Sequence, residues 1–480
     1  MTNAQSSENN LRRNMSISKK PIAVFAFATL LFTAPLHAQN ATTLDEHAPP
    51  DGPFYPGAPK SASKVQGAIG DYIFRLYGTI LLNVSTSDAV VVGQELPLWA
   101  LPGNTAVTFP DGSTRRAGTV GDTIFTARQT IFGLQVSQKA ATAGWNVSGL
   151  IEMDFAGSRP VDTTPSTQAQ NRFFNQPRLR RGYVQLDHGN WRIVAGQDKA
   201  ILAPLDPISL SHVSTPLGAT AGNLWAWLPQ ARLENRTKFG GTTLLVQAGI
   251  LAPSFGDARL NDQLGAGGTA IDATFSGNGS RSQQPFYEAR VALSHPMAGR
   301  TATVGVSGHY GRERIGADRD IDSVAFAGDI SLPIFSKLIF RGEGFVGSNL
   351  SAFDGGVIQG VGVIAPVVTG GVVTTPGVFR KIRSRGGWAE LISPVTRRDT
   401  FYAGAGTDDP EDISLVAGSG RTKNSFVWAS YFHKLTQDVT LGGEWSFWDF
   451  QSRAIAGTTP GLRNTSGRAN VVNIALAYQF

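Results

Sequence analysis

The stretch Val472-Asn473-Ile474-Ala475-Leu476-Ala477-Tyr478-Gln479-Phe480 alternates large apolar side chains with small or polar ones and closes on an aromatic residue. In an extended chain successive side chains point to opposite faces, so the five large side chains share one face. An apolar face against lipid and a second face towards a polar lumen are typical of the last strand of an outer-membrane β-barrel. Tyr478 and Phe480 are therefore predicted to form the C-terminal barrel signal.

The composition of the chain agrees with a barrel. Its 480 residues are 41% hydrophobic and 16% charged, which is too apolar for a disordered protein. Apart from residues 22–32 the chain has no apolar run that approaches the length of a membrane helix. The absence of cysteine excludes disulfides, thiolate metal sites and cysteine nucleophiles, and it is compatible with export.

The N-terminus carries the pattern of a secretory signal peptide. Arg12, Arg13, Lys19 and Lys20 precede the apolar run 22–32, and Ala38 offers a small residue for cleavage. We expect an N-terminal extension and signal peptide at 1–38, a proline-rich periplasmic linker at 39–70 and the barrel at 71–480. Without the first 38 residues, 38 basic and 35 acidic residues remain. This balance argues against nucleic acid as a partner.

Sixteen runs of alternating residues predict the strands. They lie near 72–82, 122–138, 145–155, 178–188, 190–198, 230–239, 241–251, 285–295, 301–312, 320–332, 337–347, 385–393, 399–407, 424–434, 439–450 and 467–480. Short and long connections alternate between these runs, which soluble sandwiches and propellers do not require. The predicted fold class is all-β: a transmembrane antiparallel β-barrel of sixteen strands, with short periplasmic turns and long extracellular loops.

Charged residues on the non-lipid parity are predicted to line the pore, because an arginine at the lipid midplane costs about 2–4 kcal/mol. They are Arg75, Glu152, Asp154, Arg192, Arg232, Glu234, Arg236, Glu288, Arg290, Arg341, Glu343, Glu390 and Glu444. Parity fails at Arg128, Arg178 and Arg180, which share it with apolar residues. A bulge, a strand top above the bilayer or a subunit contact would each explain this failure.

Two interpretations of the pore charges compete. In one, Arg232, Arg236, Arg290 and Arg341 hold the carboxylate of a solute while Glu234, Glu288 and Glu343 position these arginines. In the other, opposite charges pair only to keep the wall hydrated and rigid. The long link 199–229 could narrow the pore, cap the barrel or clasp a second subunit.

Aromatic residues of apolar parity are predicted to form girdles at the membrane interfaces. They are Trp145, Trp191, Tyr287, Tyr310, Phe426, Trp428, Phe432, Trp445, Phe447, Tyr478 and Phe480.

Several short motifs, in order, resemble the DcaP-like trimeric porins, a family associated with dicarboxylic acid uptake. The motifs lie at 127–134 (ARQTIFGL), 150–155 (LIEMDF), 178–186 (RLRRGYVQL), 195–197 (AGQ), 228–232 (LPQAR) and 404–410 (GAGTDDP). The resemblance implies a sixteen-stranded homotrimer that passes small anionic solutes down their gradient. Two departures stand out: residues 48–59 are proline-rich where family members often have a helical periplasmic segment, and Asp198-Lys199-Ala200 replaces the usual tryptophan-serine.

These observations predict an outer-membrane porin of a Gram-negative-type bacterium that lets small organic acids, such as dicarboxylates, diffuse passively with an anion preference. The alternatives are a general diffusion porin and a plugged barrel that acts as a surface structural or adhesion protein. Expected partners are outer-membrane lipid and lipopolysaccharide, two further copies of the chain and the barrel-assembly machinery. We predict no enzymatic activity, cofactor or metal site, since only His309, near Ser307, has lumen parity on a plausible strand.

Overall fold

The described residues form a closed antiparallel barrel of sixteen strands, and the predicted fold class is confirmed. The computed structural model describes residues 65–138, 143–157, 176–255, 277–316, 319–364, 367–375, 378–415, 420–452 and 465–480. The predicted signal peptide and most of the predicted linker lie outside these ranges. Among the described residues, no helix is long and apolar enough to cross a bilayer.

The strands run in chain order around the barrel. They are β1 (Tyr72–Ser87), β2 (Asp122–Thr126 and Ile131–Gln138), β3 (Asn146–Gly157), β4 (Gln176–His188), β5 (Trp191–Lys199), β6 (Trp227–Phe239), β7 (Thr242–Leu251), β8 (Phe286–Met297), β9 (Arg300–Gly316), β10 (Arg319–Phe335), β11 (Leu338–Ser348), β12 (Arg383–Pro394), β13 (Asp399–Pro410), β14 (Arg421–Lys434), β15 (Val439–Ser452) and β16 (Thr465–Gln479).

The connections contain short elements. Strand pairs form between Val91–Val92 and Trp99–Ala100, Ala106–Thr108 and Thr114–Arg116, Val361–Ile364 and Val378–Lys381, and Val367–Thr369 and Val372–Thr375. Single helical turns occur at Ala117–Thr119, Asn278–Arg281, Ser351–Phe353, Gly355–Ile358 and Asp412–Ser414. Because neighbouring strands are antiparallel, the long connections share one end of the barrel, the long-loop end, and the tight turns share the other, the short-turn end.

The barrel closes between its first and last strands. Thr79 on β1 lies opposite Gln479 on β16. Beyond that pair, the Phe480 N–H donates to the Gly78 carbonyl and the Gly78 N–H donates to the Phe480 carbonyl, both at 3.2 Å. The Phe480 ring lies where a side chain at position 78 would be, so glycine is needed there. A short strand at Gln66–Ile69 pairs with the start of β1, so ordered structure begins within the range predicted as linker.

The outer face of the barrel is apolar, as the alternation predicts. Pairs such as Ile80 and Leu82, or Val304 and Val306, are exposed, while the residues between them are buried or point inward. Four of the predicted girdle aromatics, Trp191, Tyr287, Trp445 and Tyr478, are exposed on this face. A closed barrel with this apolar surface is a transmembrane barrel, and such barrels belong to bacterial outer membranes.

Three aromatic residues of β14 contradict the girdle prediction. Phe426, Trp428 and Phe432 are buried inside the barrel, whereas Val427 on the same strand is exposed outside. Inside, they pack with apolar residues of the connection between β5 and β6, such as Leu217. The prediction was wrong because it assumed a lumen that is polar throughout.

Local irregularities explain the arginines with the wrong parity. The β4–β3 register shifts between Leu179 and Arg181, which is a bulge, so that Arg178 and Arg180 reach carboxylates of β3. Arg128 lies in the break between the two segments of β2, where its side chain pairs with Glu95. Of the three explanations left open, the bulge is the one observed for Arg178 and Arg180, whereas the strand break at Arg128 was not among them.

Candidate functional site

A buried loop inside the barrel defines the candidate site. Residues 200–226, called the lumenal loop here, connect β5 to β6 and are buried along almost their whole length. The loop starts beside its own end, where the Ala200 N–H donates to the Ala226 carbonyl at 3.0 Å. Of the three paths considered for the link 199–229, the inward one is observed.

Four glutamates of the barrel wall hold the first half of the loop. Their carboxylates accept hydrogen bonds from loop groups: Glu288 from the Ile201 and Leu202 N–H at 2.7 and 2.9 Å, Glu343 from the Leu205 N–H at 2.6 Å, Glu390 from the Ile208 N–H at 3.1 Å, and Glu444 from the Ser209 hydroxyl at 2.7 Å. An irregular loop leaves amide N–H groups without sheet partners, and buried ones require acceptors. The glutamates supply these acceptors.

Side chains on the far wall hold the second half of the loop. The Gln129 amide oxygen accepts from the Val213 and Ser214 N–H at 2.9 and 3.2 Å, and its nitrogen donates to the Ser211 carbonyl at 2.7 Å. Arg178 and Arg180 donate to the carbonyls of Ser214 and Val213. The anchored segment therefore runs past β8, β11, β12, β15 and the β1–β4 sector.

Glu288 and Glu343 thus have a role that the sequence did not indicate. They were expected to position arginines, but Glu288 contacts loop amides and His309, and Glu343 contacts a loop amide. Parity gives the face of a side chain but not its partner across the lumen. The third expected positioning residue, Glu234, does contact arginines.

A row of alternating charges, called the arginine ladder here, runs across β4, β5 and β6. Arg181 and Arg232 both bind Asp198, at 2.7 and 2.9 Å. Arg232 and Arg236 both bind Glu234, at 2.8 and 3.2 Å. Beside the ladder, Arg192 binds Asp187 at 2.7 Å.

The two signs of charge in the ladder differ in their exposure. The side chain of Glu234 is 1% exposed and that of Asp198 is 4% exposed, whereas the arginines that bind them are 15% (Arg232), 20% (Arg181) and 49% (Arg236) exposed. Beside the ladder, Arg192 and its partner Asp187 are exposed to a similar extent, at 33% and 30%. The guanidinium groups cover the carboxylates and keep contact with the lumen. Although the number of charges is nearly balanced, the accessible charge of this wall is positive.

Two of the arginines predicted to bind solute are buried within ion pairs of the wall. Arg290 on β8 makes a two-pronged pair with Asp329 at 2.9 and 2.6 Å, and Arg341 on β11 binds Glu390 at 2.9 Å. All four side chains are buried. For these two arginines the observed contacts match the interpretation in which wall charges pair with each other. Asp329 was not among the predicted residues, although its alternation on β10 could have identified it.

All thirteen predicted pore residues lie on the face opposite the exposed apolar residues, but in different surroundings. Arg192, Arg232, Glu234 and Arg236 belong to the wall of the ladder. Glu152 and Asp154 are buried beneath Arg180, which pairs with both. Arg75 lies at the short-turn end and donates to Gln66 at 3.0 Å.

The departure from the family pattern at 198–200 has a structural role. Asp198 joins the ladder, and the Lys199 ammonium binds the Asp206 carboxylate at 2.6 Å and donates to the carbonyls of Pro204 and Leu205. These contacts fix the point where the chain leaves β5 and turns into the lumen.

Among the described residues, serine and histidine meet at two buried places: Ser209 with His212, at 3.2 Å in the lumenal loop, and Ser323 with His309 in the wall. His309 lies between Glu288 and Ser323, with both contacts at 3.1 Å, and the Ser323 hydroxyl donates to the Asn349 carbonyl. His309 also packs edge-on against Phe286 and Phe353. Since the His309 and Glu288 side chains are fully buried, we assign this network to the support of the wall. Groups of three or more potential metal ligands are absent from the described part of the chain.

Comparison with solved structures supports the fold. The outer membrane channel DcaP of Acinetobacter baumannii superposes with a TM-score of 0.58 and 15% sequence identity, over 85% of this chain and 97% of that chain. The chain has the fold of the DcaP channel. At lower similarity, the anion-selective porin from Comamonas acidovorans gives a TM-score of 0.48 and 12% identity, over 85% of this chain and all of that one. No family model and no curated sequence matches the chain.

Proposed function

We propose that the protein is an outer-membrane porin through which small organic anions diffuse passively. The observation that carries this proposal is the exposure difference in the arginine ladder, where buried carboxylates lie beneath accessible guanidinium groups. A narrow passage lined by one accessible sign of charge raises the local concentration of ions of the opposite sign.

The path of the lumenal loop supports this location for the passage. Its anchors lie on β8, β11, β12, β15 and the β1–β4 sector, and they leave the short-turn part of β5 and β6 uncovered. Arg192 and Arg236 project from that part. Solute therefore passes between the loop and the ladder.

Dicarboxylates suit the spacing of the ladder. Arg232 and Arg236 are four residues apart on one strand face, about 13 Å along the strand. A guanidinium binds a carboxylate through two parallel hydrogen bonds. A solute with two carboxylates can hold one arginine while it reaches the next.

Reversal potential across a planar bilayer under a salt gradient tests the anion preference. A unit charge about 5 Å from a permeating ion in water contributes about 0.8 kcal/mol, which changes the local ion concentration about fourfold. We expect Arg236→Ala to lower the anion-to-cation permeability ratio by up to this factor. Arg115→Ala, in an exposed hairpin of the first long loop, is the matched control and should leave the ratio unchanged.

Replacing chloride with succinate tests the solute class. Current block by succinate in the parent, relieved in Arg236→Ala, would support dicarboxylate binding at the ladder. An unselective current in the parent would instead identify a general diffusion porin. The observation that favours this alternative is that every arginine of the ladder is paired with a carboxylate. A barrel that conducts no ions would be the plugged surface protein, with the lumenal loop as its plug.

The homotrimer, the lipopolysaccharide contact and the barrel-assembly machinery stay predictions. Gel filtration coupled to light scattering, in detergent, would establish the number of copies of the chain in the assembly. The expectation that the protein is not an enzyme also stays a prediction.

A further inference from the structure

A cluster of basic side chains lies outside the barrel, at its long-loop end. Residues 381, 383 and 385 share one parity, because all three are exposed while Ile382 and Ser384 between them are buried. This parity is the outer one, and it carries Lys381, Arg383 and Arg385 on one exposed row. We call these three residues the outer basic patch.

Arg319 contacts the chain just before the patch, at Phe379. Its guanidinium lies over the Phe379 ring at 4.9 Å, which ties the start of β10 to the chain that enters β12. The patch itself lies on β12 and on the end of the loop hairpin that leads into it.

The acidic neighbours neutralise the patch only in part. Arg383 approaches Glu411 at 3.7 Å and Arg385 approaches Asp409 at 3.5 Å, each through a single long contact. The arginine side chains remain 64% and 75% exposed. Pairs of this kind on a surface contribute little stability, so their donors are available for a stronger acceptor.

Exposed apolar residues adjoin the patch on the same face. Val346 on β11 lies directly opposite Arg385, and Phe326 on β10 lies directly opposite Val346. The Phe326 side chain is among the most exposed large apolar groups of the described chain, at 67%. A positive row and an apolar surface thus meet side by side where the barrel leaves the membrane.

We propose that the outer basic patch binds a phosphorylated lipid of the outer leaflet. The arginines suit phosphate because the planar guanidinium donates two hydrogen bonds to it. Phosphate groups of the lipid bind Arg383 and Arg385, and an acyl chain lies along Val346 and Phe326. Free phosphate offers the same charge without the apolar part, so it binds weakly to the same arginines.

Native mass spectrometry of the purified protein in detergent tests this proposal with three probes: diphosphorylated lipid A, its dephosphorylated form and inorganic pyrophosphate. We expect one retained diphosphorylated lipid per chain and much weaker binding of the other two probes. The double variant Arg383→Gln/Arg385→Gln should weaken lipid binding roughly 30-fold, from the usual contribution of two basic residues at an anionic lipid surface.

The matched control is Arg115→Gln/Arg116→Gln, which removes two exposed arginines, one of them near the Phe109 ring, from another loop at the same end. This control should bind lipid like the parent. Equal lipid binding by the parent and the Arg383/Arg385 variant would overturn the assignment of the site. Equal binding of the dephosphorylated lipid, or full competition by pyrophosphate, would overturn the phosphorylated lipid as its occupant. Ion selectivity plays no part in these readouts, so the outcome is independent of the proposed channel function.

Discussion

The anchoring of the lumenal loop by Glu288 can be tested through the exposure of an engineered thiol. Glu288 accepts two loop amides at 2.7 and 2.9 Å in a buried setting. Hydrogen bonds to a charged group contribute about 1.5–3 kcal/mol each. Glu288→Ala therefore removes about 3–6 kcal/mol of loop anchoring, which corresponds to a roughly 150- to 25,000-fold increase in the open population of the loop.

The chain has no cysteine, so a single introduced thiol reports this opening without background. Ala200 is buried at the start of the loop, next to the two amides that Glu288 holds. In the Ala200→Cys background, the rate at which a charged methanethiosulfonate reagent labels the folded protein measures the open population, provided closing is faster than labelling. We expect Glu288→Ala to raise this rate at least about 150-fold, the lower limit of the estimate.

Two further variants keep the test informative. Glu288→Gln retains one acceptor oxygen and should give an intermediate rate, which separates lost anchoring from general misfolding. Asp449→Ala breaks an ion pair with Arg468 on the outside of the barrel and should not change the labelling rate. If Glu288→Ala labels less than about tenfold faster than the parent, the glutamate does not hold the loop and the reasoning fails.

Three further predictions concern the wall and the long loops. Gly133→Ala would place a methyl group within the ring of Tyr77, so we expect a sharp fall in the yield of refolded barrel, measured as the heat-modifiable band on a gel. Gly240→Ala, at an open turn, is the comparison and should lower the yield less. Arg180→Met leaves the buried carboxylate of Glu152 without its arginine partner, while Asp154 keeps Arg178, and should cost about 3–5 kcal/mol of stability, seen as a lower urea midpoint; an unchanged midpoint would contradict the pairing. Burial raises the pKa of Asp354, in the loop after β11, to about 7, above its ordinary value. The contribution of this group to the stability of the loop is therefore fully present below about pH 4 and is lost as the pH rises through 7. Hydrogen exchange of residues 349–360 should accelerate with pH beyond its intrinsic dependence, and Asp354→Asn should abolish that excess.

The positions of the strands could be predicted because lipid imposes a strict pattern. Residues 145–155 alternate apolar and polar side chains, and β3 spans Asn146–Gly157. An outward face in hydrocarbon must stay apolar while the inward face need not, so the alternation repeats in strand after strand. The same alternation identified most of the charged residues that face the lumen.

Contacts across the lumen could not be predicted in the same way. The path of residues 200–226 depends on acceptors from several strands that are distant in sequence, and alternation says nothing about which loop amide meets Glu343. Gln129 was missed for this reason, since one glutamine beside a strand break carries no signal of its own.

The wrong prediction for the aromatic residues of β14 could have been avoided from the sequence. Residues 425–432 read SFVWASYF, so both parities of the strand carry large apolar or aromatic side chains. A strand that is apolar on both faces is typical of one buried on both faces. Phe426 and Trp428 could therefore have been assigned to an apolar contact inside the barrel, and that contact would have indicated an inward loop.

The seam between β1 and β16 has a consequence for the order of folding. Thr79 and Gln479 are 400 positions apart in the chain and yet form neighbouring backbone contacts. Every other seam of the barrel joins strands that follow each other closely, so hairpins can pair soon after they form, whereas this one brings together the two most distant strands. Until it forms, both strands present unpaired edges that can join another chain. Closure of the cylinder is thus expected to be the slow, aggregation-prone step of assembly, and a helper that holds the two free edges would accelerate it most.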